Sequence, residues 1–388
     1  MPAFLRSVLF LCPSFFPLFL PSNGQKPNKI QQIGTPCTNY YDGKTDYGCD
    51  EKSEKLRIFV VADAGGKEDE NKKHSPTKGQ QSVAKLMAEL AEKEGLNLML
   101  NLGDNFYENG VTKDTVNELF KTNFLNIFGN VGTKDVPWYT VAGNRDYHHL
   151  DGYDPIAPQI EIIGEKWTFP APYYTVHYNF GINLEKSVRF VMVDTVILCG
   201  RNRKMFKDEK TFTEEIKEKS EKHFEWLENE LKLANEKGVD FLFVAGHYPL
   251  YVTDGDRSFT CAERFNDLLS VHKVGAYLSG HEHNLKHLVT KFGVQVFVAG
   301  AGSRMEEANE KKHVPEEYKH LLKFAYPDSV KKPEEYLGGG FVAMEMDAKN
   351  KKAKVNFYAA GHIHPTEQKF VEKEKFVEGS KFKYNVEL

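Results

Sequence analysis

The chain has 388 residues, of which 40% are apolar, enough to bury one large core or two or three smaller ones. A net charge of −4 with both signs interspersed leaves no electrostatic footprint for nucleic acid, and that class of partner is not expected. Beyond residue 24 no stretch is long and apolar enough to span a membrane, so no transmembrane segment is expected either.

The chain opens with Arg6, an apolar stretch from Ser7 to Leu20 and a small polar segment, Ser22-Asn23-Gly24. This is the layout of a secretory signal peptide, with Pro13, Pro17 and Pro21 breaking the apolar region and leaving the cleavage site open. The expected organisation is a signal peptide over 1–24, an N-terminal extension over 25–55, a catalytic domain over 56–370 and a charged tail over 371–388. Loss of the leader removes Cys12 and leaves Cys37, Cys49, Cys199 and Cys261. An even number of cysteines without C-x-x-C spacing reads as disulfides in an oxidising compartment, three pairings being open. The protein is expected outside the cell or in an acidic, lysosome-like vesicle.

Five short apolar runs follow: Arg57–Ala62, Leu96–Leu102, Trp138–Ala142, Phe241–Ala245 and Ala276–Ser279. They are rich in β-branched and aromatic residues and end at glycine or a polar turn, which reads as buried strands. Between them, Lys78–Glu94 carries Val83, Leu86, Met87, Leu90 and Ala91 at helical spacing with Gly95 as the stop. Glu214–Lys237 and Ala262–Val271 read as two further helices. The alternation predicts α/β layers, and the runs Val294–Val298, Phe341–Met346 and Lys354–Ala359 imply a second sheet. Charged loops are expected at 66–77 and 201–210.

Each of the five runs delivers a metal-binding word: Asp63-Ala64-Gly65, Gly103-Asp104-Asn105-Phe106-Tyr107, Gly143-Asn144-Arg145-Asp146, Gly246-His247 and Gly280-His281-Glu282-His283. In open α/β sheets ligands bind beyond the carboxyl ends of strands, where these words stand. Together they describe a dinuclear centre for phosphate-ester hydrolysis, in which two cations acidify a water and hold the phosphoryl oxygens. Asp104 is the candidate bridge. A tyrosine ligand, Tyr107, ionises at low pH only beside a strongly Lewis-acidic ion, which suits Fe(III). The second ion is expected to be divalent, ringed by Asn144, His247 and His281. The His281/His283 pair, two apart on an extended segment, is expected to point one way. His362 and His364 repeat the G-H-x-H form but read as an edge or surface feature, and His74, His177, His223, His272 and His287 read as packing or surface residues.

From about Leu56 to about Phe370 the chain resembles the purple acid phosphatases, specifically the small mammalian-type (tartrate-resistant) group of the calcineurin-like metallophosphoesterases. The flanking words Gly246-His247-Tyr248-Pro249, Asn284-Leu285 and Gly300-Ala301-Gly302 extend the likeness. The resemblance implies a four-layer metallophosphoesterase fold of class α/β, two mixed β-sheets packed as a sandwich and flanked by helices. It places Asp63, Asp104, Tyr107 and His283 on a ferric ion, and Asp104, Asn144, His247 and His281 on a divalent ion (iron, zinc or manganese). It also pairs Cys199 with Cys261, and leaves Cys37 with Cys49.

Two histidines of that group are absent. The family's Gly-Asn-His reads Gly-Asn-Arg145 here, and a second histidine would fall near Asp254-Gly255-Asp256. Arginine can grip phosphate but cannot give a proton to a leaving alkoxide. His148, His149 and Asp256 are the candidate substitutes, with Arg145, His148 and Asp256 taken as the catalytic set. The expected function is acid phosphatase action on a small phosphomonoester or a phosphoprotein, with reduced activity. The alternative is an impaired or inactive relative that keeps its metals for folding or for binding a protein partner. The basic loop after Cys199, carrying Arg201, Arg203, Lys204, Lys207 and Lys210, occupies the place of a protease-sensitive loop in the family.

Overall fold

A computed structural model describes residues 39–40, 46–68, 74–133, 135–148, 155–162, 166–199, 209–251, 261–306, 320–327, 338–360 and 382–388. Asp256, His149, Cys37, the basic run 201–208 and the 361–364 G-H-x-H segment lie outside the described residues.

Two mixed sheets carry the described chain. One has seven strands in the order Phe382–Glu387, Lys352–Ala360, Gly339–Asp347, Lys55–Val61, Leu98–Asn101, Trp138–Thr140, Trp167–Thr168. The other has nine, running Asn39–Tyr40, Asp46–Glu51, Tyr174–Phe180, Lys186–Met192, Phe241–Ala245, Ala276–Ser279, Gln295–Ala299, Leu285–Val289, Leu322–Tyr326. Helix Lys78–Glu94 lies on the first sheet and helix Glu209–Glu236 on the second, while the sheets pack on each other, giving four layers. Strands such as Leu98–Asn101 and Ala276–Ser279 are buried at every residue, which is why they read as unbroken apolar runs.

The strands that deliver the five words are parallel within their sheets. Lys55–Val61 pairs with Leu98–Asn101, which pairs with Trp138–Thr140, and Phe241–Ala245 pairs with Ala276–Ser279. Parallel pairing puts all their carboxyl ends on one edge. Helix Lys78–Glu94 begins where Thr77 Oγ1 accepts the Gln80 N–H at 2.9 Å and stops at Gly95, whose φ of 83° suits glycine and whose N–H donates to the Ala91 carbonyl.

The second sheet that the last-third runs imply is present, and those runs are divided between the two sheets: Gln295–Ala299 joins Ala276–Ser279, and the other two extend the sheet of Lys55–Val61. Both sheets reach past 56–370, through Asp46–Glu51 paired with Tyr174–Phe180 and Phe382–Glu387 paired with Lys352–Ala360. The charged 66–77 loop contains a small hairpin, Lys67–Glu68 with His74–Ser75. Cys199 and Cys261 form a disulfide; Cys49 is disulfide-bonded too. Among the described residues no helix is long and apolar enough to cross a membrane.

Candidate metal centre

Asp63, Asp104 and His247 are fully buried, and each offers a ligand atom within 4.8 Å of the others. The remaining residues gather round this trio in two groups. Tyr107 Oη lies 2.8 Å from Asp63 Oδ1 and 3.0 Å from His283 Nε2. Asn144 Oδ1 lies 3.1 Å from His247 Nε2 and 3.0 Å from His281 Nδ1, and His247 Nε2 is 3.4 Å from Asp104 Oδ1. The His281 N–H donates to Asp63 Oδ2 at 2.7 Å and joins the groups. All seven expected ligands therefore converge from five strand ends.

The backbone is bent to achieve this. Asp63, Asp104 and His281 all occupy the left-handed region, with φ of 58°, 52° and 70°. A side-chain-bearing residue held there costs on the order of 1–3 kcal/mol, and such strain concentrates at functional sites. The His281–His283 segment is thus a bend and not the extended segment expected; both imidazoles reach the cluster because the turn at His281 aims them. Gly143 packs so closely that a Cβ would fall on the Asp104 N and Oδ1 atoms.

Hydrogen bonds outside the cluster set which ring nitrogen faces inward. His247 Nδ1 meets the Leu102 carbonyl at 2.8 Å, which turns Nε2 toward Asn144 and Asp104. His283 Nδ1 meets Glu306 Oε1 at 2.7 Å, which turns Nε2 toward Tyr107 and Asp63. Glu306 went unnoticed in the sequence, where it sits in a charged run after Gly302. Asp146 ties two words together, accepting the N–H groups of Gly143 at 2.8 Å and Asn105 at 3.0 Å and the Gln159 side-chain amide at 3.0 Å. His74, read as a packing residue, meets the Tyr107 carbonyl at 2.8 Å.

The electrostatics suit cations. Burial and the carboxylates of Asp63 and Asp104 push the Tyr107 phenol well above its usual value, opposed by the Arg304 charge. Burial raises Asp104 as well, and the neighbouring Asp63 charge adds to it. Burial lowers His283, but hydrogen bonds to Asp63 and Glu306 win and bring it to about 9. Two carboxylates, a phenol, three imidazoles and an amide oxygen, gathered at a largely buried site, form a donor set that fits hard to borderline metal ions.

The sequence pattern of the calcineurin-like phosphoesterases matches residues 56–285, more than half of the chain. The chain belongs to that family. Within it, this phosphoesterase is 32% identical to human tartrate-resistant acid phosphatase type 5 over 302 residues, covering 76% of the chain and 85% of the relative. Purple acid phosphatase 3 of Arabidopsis thaliana is 26% identical over 302 residues, covering 73% and 71%. Among solved structures, GAP50, the anchor in the inner membrane complex of Plasmodium, superposes with a TM-score of 0.60 at 20% identity, covering 81% of this chain and 85% of that one; this likeness concerns the fold.

The phosphoesterase site also holds the residue that departs from the tartrate-resistant pattern. The Arg145 N–H donates to Asp104 Oδ1 at 2.8 Å, and its guanidinium pairs with Glu108 at 3.1 Å beside the Tyr107 ring. His148 closes the Arg145–Tyr147 turn, its N–H donating to the Arg145 carbonyl at 3.1 Å.

Proposed function

We propose that this phosphoesterase is an acid phosphatase that hydrolyses phosphomonoesters at a dinuclear metal centre, exported to the cell exterior or an acidic vesicle. The observation that carries the proposal is the convergence of Asp63, Asp104 and His247 within 4.8 Å, ringed by Tyr107, Asn144, His281 and His283. Asp63, Asp104, Tyr107 and His283 would hold Fe(III); Asp104, Asn144, His247 and His281 would hold a divalent iron, zinc or manganese ion, with Asp104 between the two. When bound, such a pair supplies a water acidified toward neutral pH and positive charge for the phosphoryl oxygens.

The chain's own residues do the rest. Glu306 and the Leu102 carbonyl fix the tautomers of His283 and His247. Arg145 supplies a fixed positive charge for phosphoryl oxygens and no transferable proton. An alkoxide must then find its proton in solvent, so esters with good leaving groups are favoured. The amino-terminal leader and the Cys199–Cys261 disulfide support the export route.

Arg145 also favours a second reading, a metal-retaining protein that binds phosphate without turning it over. Steady-state hydrolysis of para-nitrophenyl phosphate from about pH 4 to 8, on protein carrying two metals per chain, separates the two. Turnover with an acidic optimum is expected, and Asp104→Asn is expected to lose most bound metal and the activity with it. Wild-type rates equal to the Asp104→Asn background would establish the second reading, and full metal occupancy in that variant would remove Asp104 from the bridge.

A further inference from the structure

Two guanidiniums flank Tyr107. Arg304 lies 5.0 Å and Arg145 5.9 Å from its ring centre, and one carboxylate, Glu108, spans them with one oxygen on each. Glu108 Oε2 is 3.1 Å from Arg145 Nη1 and Oε1 is 3.6 Å from Arg304 Nη1. The three side chains are each about one-third exposed, at 33%, 33% and 31%, so they form the rim of the centre. Arg304 is held on its other side by Glu306 at 3.0 Å, and its Nε is 3.1 Å from His283 Nδ1. The pair comes from two distant loops and meets directly above two of the candidate ligands.

The geometry points to a second anion subsite, formed by Arg145 and Arg304 and filled in the free protein by Glu108. It takes an additional oxyanion, phosphoryl or carboxyl, carried next to the scissile phosphate; the inference rests on the phosphatase reading for the position of that phosphate. The spacing that lets one carboxylate reach both guanidiniums also lets one bridging oxyanion reach both. Planar guanidinium forks grip phosphate and carboxylate more tightly than isolated charges do. Ion pairs this exposed are weak, so Glu108 gives way to a ligand that the metals already hold close by. Arg145 thereby becomes a specificity determinant, and Arg304, which stands outside the five metal-binding words, its partner.

The test compares affinities of the two-metal protein for methylphosphonate, methylenediphosphonate and phosphonoacetate by calorimetry, with metal content measured after each titration. At least one doubly anionic probe is expected to bind roughly tenfold or more tighter than methylphosphonate, and which one does so names the second group. Arg304→Gln is expected to bring that ratio toward one, and Glu108→Gln to raise it. Opposite signs from two rim substitutions cannot arise from general loss of folding. Methylphosphonate binding with no preference for either second anion, or a ratio unmoved by Arg304→Gln, would overturn the subsite and leave the phosphatase reading standing. Failure of all three probes to bind would overturn both.

Discussion

Arg145 donates its backbone N–H to Asp104 Oδ1, while its guanidinium turns away from that carboxylate to Glu108. The backbone therefore supports the centre whatever side chain position 145 carries, and the side chain decides the proton chemistry and the charge at the rim. A histidine here could protonate a leaving alkoxide, a contribution worth on the order of 10²–10⁴-fold. Arg145→His should accordingly raise kcat/KM for glycerol phosphate by at least about tenfold relative to para-nitrophenyl phosphate, whose phenolate leaves unaided. An unchanged ratio of the two would show that position 145 does not supply the acid. Glu306 makes a different kind of contribution, because it orients a candidate ligand from outside the cluster. Removing such a partner costs roughly 10–100-fold in metal affinity. Glu306→Gln is expected to fall in that range in competition with a chelator; wild-type affinity would mean that the turn at His281 alone positions His283.

The turns that follow the strands are the elements that make the site, and they explain what could be read in advance. A buried parallel strand is apolar on both faces, so Leu98–Asn101 and Ala276–Ser279 stand out as runs and draw attention to Asp104 and His281 just beyond them. Helix Lys78–Glu94 was legible to the residue, since its period and the Gly95 stop are both local, while the Thr77 cap emerges with the structure. Sheet membership was not, because Gln295–Ala299 looks like the later strands and its partner is chosen by long-range pairing. The left-handed turn at His281 and the Arg145–Glu108–Arg304 bridge were hidden for the same reason: nothing in the order of residues signals which loops meet. Gly143 shows how tightly those turns pack. An added methyl would strike Asp104 N and Oδ1 and come within 2.8 Å of His247 Cε1. Gly143→Ala should therefore cost about 1–3 kcal/mol of stability and displace Asp104 and His247 together. The expected result is a folded protein with less than half its metal by elemental analysis, and full occupancy would show that the two loops can separate without harm.

At the scale of the whole molecule, the stability contributed by Asp194 and His283 and the binding of metal are expected to respond to pH in opposite directions. Asp194 accepts hydrogen bonds from Tyr147 Oη and the Ile197 N–H and so links the Arg145–Tyr147 turn to the end of the Lys186–Met192 strand, while burial raises it from 3.8 to about 6. Its contribution to folding is complete below pH 3.8 and is lost as pH rises toward 6. His283 rises from 6.5 to about 9, so in metal-free protein its contribution is complete below 6.5 and is lost as pH climbs through 9. Each shift corresponds to about 3 kcal/mol. Asp63, brought down to about 2, is lost only in strong acid and does not alter this range. The chelator-stripped protein should thus melt several degrees lower at pH 8 than at pH 5, and Asp194→Asn should remove part of that slope. A metal on His283 Nε2 must displace the proton that stabilises the stripped form, so affinity should climb as pH rises toward 9. The gap in melting temperature between loaded and stripped protein is therefore expected to widen steadily from pH 5 to 8. A gap that stays constant across that range would mean that no proton leaves His283 on loading, and would take this imidazole out of the metal's coordination sphere.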